Sequence, residues 1–159
     1  MSNATSRGAV SHNYGETIIQ KTALIVGIVF ILVGAAGFIP GLTQHAEHLQ
    51  GAGTDSEAML LGIFQVSILH NIVHLAFGVW GLAAAKSMRA SRTFLLIGGI
   101  IYLVLWIYGL FAVGNDQLNF VPLNDADNWL HLVLAAGMIL LSFVLNRDHR
   151  SAAAPRTGR

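Results

Sequence analysis

Four runs of apolar residues, none holding an Asp, Glu, Lys or Arg, limit what this chain can become. They cover residues 22–39, 63–85, 93–113 and 129–145. A hydrocarbon core about 30 Å thick takes about 20 helical residues, so each run is long enough, or nearly so, to cross a bilayer. Backbone groups in lipid have to pair within their own segment, which makes each span helical despite its glycines and β-branched residues. Composition agrees: 54% of residues are apolar and 11% charged, against about 25% charged in a soluble domain. The mean hydropathy is +0.61. The chain has no cysteine, which excludes disulfides, thiolate metal sites, iron–sulfur clusters and cysteine nucleophiles.

The basic residues set the orientation. Arg7 and Lys21 precede the first span, Lys86, Arg89 and Arg92 lie between the second and third, and Arg147, Arg150, Arg156 and Arg159 follow the fourth. The other two connections hold no Lys or Arg, only Glu47, Asp55, Glu57, Asp116, Asp125 and Asp127. The basic side is therefore expected to be cytoplasmic, with both termini on it, in a multi-pass protein of the inner (plasma) membrane. Span one could also be read as a signal peptide, with Ala35, Ala36 and Gly37 as a cleavage site. That reading is rejected because span one has a counterpart in span three.

The counterpart is an internal repeat. LIVGIVFILVGAAGF (24–38) aligns with LIGGIIYLVLWIYGL (96–110), matching Gly27 to Gly99, Phe30 to Tyr102 and Gly37 to Gly109. NIVHL (71–75) aligns with NWLHL (128–132). The matched residues fall on single helical stripes: Gly27, Phe30, Gly34 and Gly37; Gly99, Tyr102, Trp106 and Gly109; Asn71, His74, Gly78, Gly81 and Ala85; Asn128, His131, Ala135, Met138 and Ser142. Small residues let helices approach closely in lipid, so these stripes are expected to face the centre. The predicted fold is all-α: an integral membrane four-helix bundle of two parallel two-helix repeats spanning 21–146. Residues 1–20 and 147–159 are expected to be disordered cytoplasmic tails.

The N-x-x-H-L-x-x-G-x-x-G-L run at 71–82 and the D-x-D-N-x-x-H-L run at 125–132 resemble an actinobacterial four-span membrane family known only as a domain of unknown function. A wider likeness is to the DoxX-like group of small four-helix membrane proteins. The resemblance extends over about residues 20–146. It implies a fold and a membrane location, and no reaction. DoxX-like relatives are linked to quinone or thiol redox systems and to membrane complexes, but without cysteine this chain has no thiol chemistry of its own.

The candidate site residues are His70, Asn71, His74, Asn128 and His131, all on the acidic side of their spans. Imidazole is a common metal ligand and can hold haem iron, and ionisable residues inside a membrane usually have a function. A plainer reading is polar glue, with Asn71 bonding near His131 and Asn128 near His74. His45 and His48, near Glu47, Asp55 and Glu57, could hold a metal; a solvated loop or short surface helix is the expected alternative. His12 and His149 read as solvated tail residues. Trp80, Trp106, Tyr108 and Trp129 read as interface anchors. Asp125 or Asp127 is expected to cap the last helix. Gly98 and Gly99 lack the lysine and strand context of a phosphate loop.

The expected partners are the lipid bilayer and a membrane protein or a second copy of the chain. The Lys86–Arg89–Arg92 cluster suits anionic headgroups and is too sparse for nucleic acid. The reading favoured by the sequence is a non-enzymatic structural or accessory subunit. The alternatives are a haem-, quinone- or metal-binding redox protein using the repeated motif, and a small transporter, against which the absence of any membrane carboxylate or cation argues. No cofactor is named by the residues alone. If the two halves are equivalent, His74→Ala and His131→Ala will lower folded yield to the same degree in fluorescence-detected size exclusion; unequal losses would contradict that equivalence.

Overall fold

A computed structural model describes residues 13–152, with side chains as far as residue 145. Four α-helices account for most of it: α1 (Ile18–Ala36), α2 (Ile68–Ala84), α3 (Met88–Ala112) and α4 (Asp125–Ala152). By length and composition α1, α3 and the Asp125–Leu145 part of α4 can cross a membrane. Helix α2 is equally apolar but has 17 residues, a rise of about 25 Å.

Side-chain caps decide where these helices begin. Thr17 and Gln20 form a reciprocal capping box before α1, Ser67 caps α2 and Ser87 caps α3, each satisfying a backbone N–H that the first helical turn leaves over. Helices α1, α3 and α4 start several residues before their charge-free runs do, and α2 starts five residues after its run begins. Residues 13–17, expected in a tail, form a turn joined to the bundle: the Gly15 amide donates to the Ala85 carbonyl at 3.1 Å and the Tyr14 hydroxyl to the Leu82 carbonyl at 3.0 Å. Gln20 Nε2 also donates to Ala85 at 2.9 Å, and Ser91 Oγ to Ala84 at 3.0 Å. The carbonyls that end α2 are thus satisfied by the chain on either side of it. At the other end of the sequence α4 continues to Ala152, past the expected boundary at 146. The rest of the predicted tails, 1–12 and 153–159, lies outside the described residues.

The second span differs most from expectation. Residues 63–67, expected in its helix, are not helical. A small antiparallel sheet stands there, β1 (Thr43–Gln44), β2 (Met59–Leu60) and β3 (Phe64–Gln65), in the order β1-β2-β3. Leu61 and Gly62 turn the chain between β2 and β3 at φ 53° and 70°, and a single helical turn (Ala46–His48) lies in the connection between β1 and β2. Ala58, Leu60 and Val66 bury themselves against Val33 and Ala36 of α1. The connection expected as a solvated loop or short surface helix carries that short helix, with His45 and His48 exposed, and its later part forms a packed cap over one end of the bundle, opposite the end that carries Lys86 and Arg92.

The closest packing lies within the sequential pairs, α1 with α2 and α3 with α4. A Cβ at Gly27 would stand 2.8 Å from the Leu82 nitrogen and 2.9 Å from the Gly78 oxygen. One at Gly99 would stand 2.7 Å from Ile139 Cγ1 and 3.0 Å from its nitrogen. Only glycine permits such an approach, and in lipid close packing is what holds helices together. Gly27, Phe30, Gly34 and Gly37 are all buried, as are Gly99, Tyr102 and Gly109, with Trp106 half-buried. In α4, Asn128, His131, Ala135, Met138 and Ser142 are buried too. The opposite faces are apolar and bare, with Ile25, Val29, Leu32, Val104, Val133 and Leu140 exposed, which suits a hydrocarbon surrounding.

Gly27→Ala is expected to destabilise the fold by about 1–3 kcal/mol through overpacking. Gly137, where a Cβ would meet nothing within 4 Å, is the control: Gly137→Ala is expected to be neutral or stabilising by up to about 1 kcal/mol. Thermal unfolding in detergent should show a lower Tm for the first variant and an unchanged or higher one for the second.

Candidate functional site

The N-x-x-H spacing puts Asn and His one turn apart on one face of α2, and again on α4. Each Asn packs within its own helix pair. Asn71 fills the space over Gly37 that a side chain there would occupy, and Asn128 does the same over Gly109. His74 and His131 lie one turn deeper, and His70 directly precedes Asn71. The rings of His70 and His74 stack, with centroids 4.5 Å apart and planes 8° from parallel. His74 Nδ1 donates to the His70 carbonyl at 3.0 Å. Phe30 lies against His74 at 5.4 Å, Tyr102 against His131 at 5.2 Å, and the two aromatic rings meet each other at 5.5 Å. A row of rings thus links α2 to α4 through α1 and α3.

The expected Asn–His bridges between the pairs are not formed. Both asparagines are held over glycines of the neighbouring helix, out of reach of the far histidine. Among the described residues five buried side-chain polar atoms have no hydrogen-bond partner, and four of them lie here: His70 Nδ1, Asn71 Nδ2, Asn128 Oδ1 and His131 Nδ1, the fifth being Arg92 Nε. Each such atom costs about 1–3 kcal/mol when nothing satisfies it.

His70, His74 and His131 line one chamber of about 100 Å³, roofed by Leu60, Phe64 and Val66 of the cap. Two apolar grooves adjoin it, one reaching His74 and the other all three histidines. One, of about 380 Å³, lies between α1 and α4, along Val29, Phe30, Val33 and Leu134. The other, of about 280 Å³, lies between α2 and α3, along Val73, Ile101, Tyr102 and Phe120. His74 lines the chamber and both grooves. Ile25, Val29, Val73 and Phe120 carry the groove walls out to the exposed apolar surface.

Asp127 also lines the chamber and is buried. Its Oδ2 accepts from the Gln65 amide at 3.0 Å and from the Asn124 amide at 3.2 Å, while Asn124 Oδ1 accepts from the Asp127 amide at 3.0 Å. Asn124 and Asp127 are therefore a reciprocal capping box, and the cap residue is Asn124 rather than the expected Asp125 or Asp127. Through Gln65 the same carboxylate fastens strand β3 to α4. Asn124 Nδ2 adds a second tie, to the Ile63 carbonyl at 2.7 Å. The N-x-x-D spacing at 124–127 was the available signal for this box. Nothing in the sequence alone marks Asp127 or Tyr102 as chamber neighbours of the histidines.

On the exposed loop, His48 Nδ1 lies 2.8 Å from Glu57 Oε2 and the His45 and His48 rings stack at 5.9 Å. Among the described residues no three His, Asp or Glu side chains come together as a metal site, here or in the chamber.

A family model described as a domain of unknown function, DUF4383, matches residues 20–144, a stretch that contains every residue of the chamber and its grooves. No curated protein and no solved structure matches the chain.

Asp127→Ala removes the acceptor for two backbone amides and is expected to cost about 1–3 kcal/mol for each amide left unsatisfied, felt locally at the cap. Hydrogen–deuterium exchange should show faster exchange at Gln65 and along β3, with α1 unchanged. Asp127→Asn keeps an oxygen acceptor and should sit between wild type and Ala. Unaltered protection at Gln65 in the Ala variant would show that the carboxylate does not hold the cap.

Proposed function

The chain belongs to the DUF4383 family, a domain of unknown function, and we propose that it is a multi-pass inner-membrane protein that binds a lipid-soluble small molecule at His70, His74 and His131. Its basic end faces the cytoplasm by the distribution of Lys and Arg, and its halves are two copies of one helix pair. The ring contacts Phe30–His74 and Tyr102–His131, and the Asn–Gly contacts in each pair, support that twofold plan.

One observation carries the binding proposal. His70 and His131 each bury an Nδ1 without a partner, on the walls of a chamber that apolar grooves join to the lipid-facing surface. Structural glue would satisfy these atoms within the protein, whereas a ligand's polar head satisfies them from the chamber. An apolar cavity with a few convergent polar groups is the usual form of a small-molecule site.

The ligand types expected from the sequence fit unequally. A metal ion lacks a converging ligand set among the described residues. Haem between His74 and His131 would have to displace the Phe30 and Tyr102 rings that lie in contact with them. A quinone-sized molecule with a small polar head and an apolar tail fits chamber and groove together. Asn71 and Asn128 support the site by fixing α2 and α4 against their partner helices.

The test is extraction of the full chain into polymer-bounded native discs without detergent, followed by mass spectrometry of the small molecules that co-purify. Wild type should retain one lipophilic species that a His70→Leu/His131→Leu variant loses by about tenfold or more, with helical content unchanged by circular dichroism. Identical lipid profiles in both proteins would leave the histidines without a binding role.

A further inference from the structure

The hydrogen bond of His74 fixes which atom it offers a ligand. Its Nδ1 lies 3.0 Å from the His70 carbonyl, and a carbonyl oxygen only accepts, so the proton is on Nδ1. In a neutral imidazole the other nitrogen, Nε2, then carries the lone pair. Nε2 has no hydrogen-bond partner among the described residues, and the ring lines the chamber and both grooves.

The surroundings add to that polarity. Asp127, the other polar side chain of the chamber besides the histidines, is an acceptor already held by two amides. No Lys or Arg lines the chamber or either groove. Such a surface is wrong for a carboxylate or phosphate head, which needs cations, and gives a ketone or ether nothing at His74. It suits an O–H. Tyr102, on the α2–α3 groove, has a hydroxyl with no hydrogen bond among the described residues, which can donate to the oxygen of the same group. A hydroxyl is the small neutral head that both gives and takes a hydrogen bond.

We infer that the ligand is a lipid-soluble alcohol or phenol that reaches the chamber sideways from the bilayer through an apolar groove, donating its O–H to His74 Nε2. This rests on the binding role proposed for the three histidines. It commits to a hydroxyl and leaves open whether an aromatic ring or an aliphatic carbon carries it, which the experiment separates.

The test uses the full chain in lipid nanodiscs and four probes matched in length: 4-dodecylphenol, its O-methyl ether, 4-dodecylbenzoate and a long-chain aliphatic alcohol. Binding is followed by displacement of a fluorescent lipid and by nitrogen-15 spectra of labelled histidine, in which His74 Nε2 reports directly. The expected result is binding of the phenol or the alcohol about tenfold or more tighter than the ether, no measurable binding of the benzoate, and a shift of the unprotonated nitrogen only with the hydroxyl probes. Tighter binding of the phenol than of the alcohol would assign an aromatic head, and the reverse an aliphatic one. In His74→Phe the phenol and ether should bind alike. An ether or benzoate that binds wild type as well as the phenol overturns the hydroxyl assignment and leaves the binding site standing. Failure of all four probes overturns both.

Discussion

Gly27 lets α1 lie on the α2 backbone at Gly78 and Leu82, and Gly99 lets α3 lie on α4 at Ile139. These two approaches set the geometry of everything else. Lipid gives helices no hydrophobic reason to associate, so the pairs held by close backbone packing become the rigid units of the molecule. Between the units the contact is through larger side chains, chiefly the rings of Phe30, Phe77, Phe94 and Tyr102. Large rings fill a seam less completely than glycines do, and the chamber and its two grooves lie along that seam.

The helices were legible because charge is so costly in a hydrocarbon that its absence marks the spans. Their inward faces were legible as well: the stripe through Gly27, Phe30, Gly34 and Gly37 and the one through Asn128, His131, Ala135, Met138 and Ser142 are buried along their whole length. Helix ends were less so. Hydropathy registers side-chain transfer, whereas Thr17, Ser67, Ser87 and Asn124 end or begin helices through backbone hydrogen bonds. The cap was misread for a related reason. Phe64 and Val66 are as apolar as the helix that follows, and only the left-handed turn at Leu61 and Gly62 and the Ser67 cap separate strand from span.

The site was half legible. Repetition of N-x-x-H-L brings out the histidines, because Asn and His are rare in spans. It cannot say which way each side chain turns. The asparagines face glycines in their own pair, and the histidines are left to face the chamber with aromatic neighbours. Tyr102 and Asp127 join them only through tertiary packing, for which no local spacing gives a sign.

Among the buried polar atoms without partners, the Nδ1 atoms of His70 and His131 belong to side chains that line the chamber. A small molecule in the chamber would give them partners. The direct measurement is an experimental structure of the full chain in lipid nanodiscs, prepared without detergent and at a resolution that shows side-chain hydrogen-bond geometry. The expected result is elongated non-protein density with its head among His70, His74 and His131 and its tail along one of the two apolar grooves. A chamber collapsed onto itself, with both Nδ1 atoms bonded to protein groups, would contradict it.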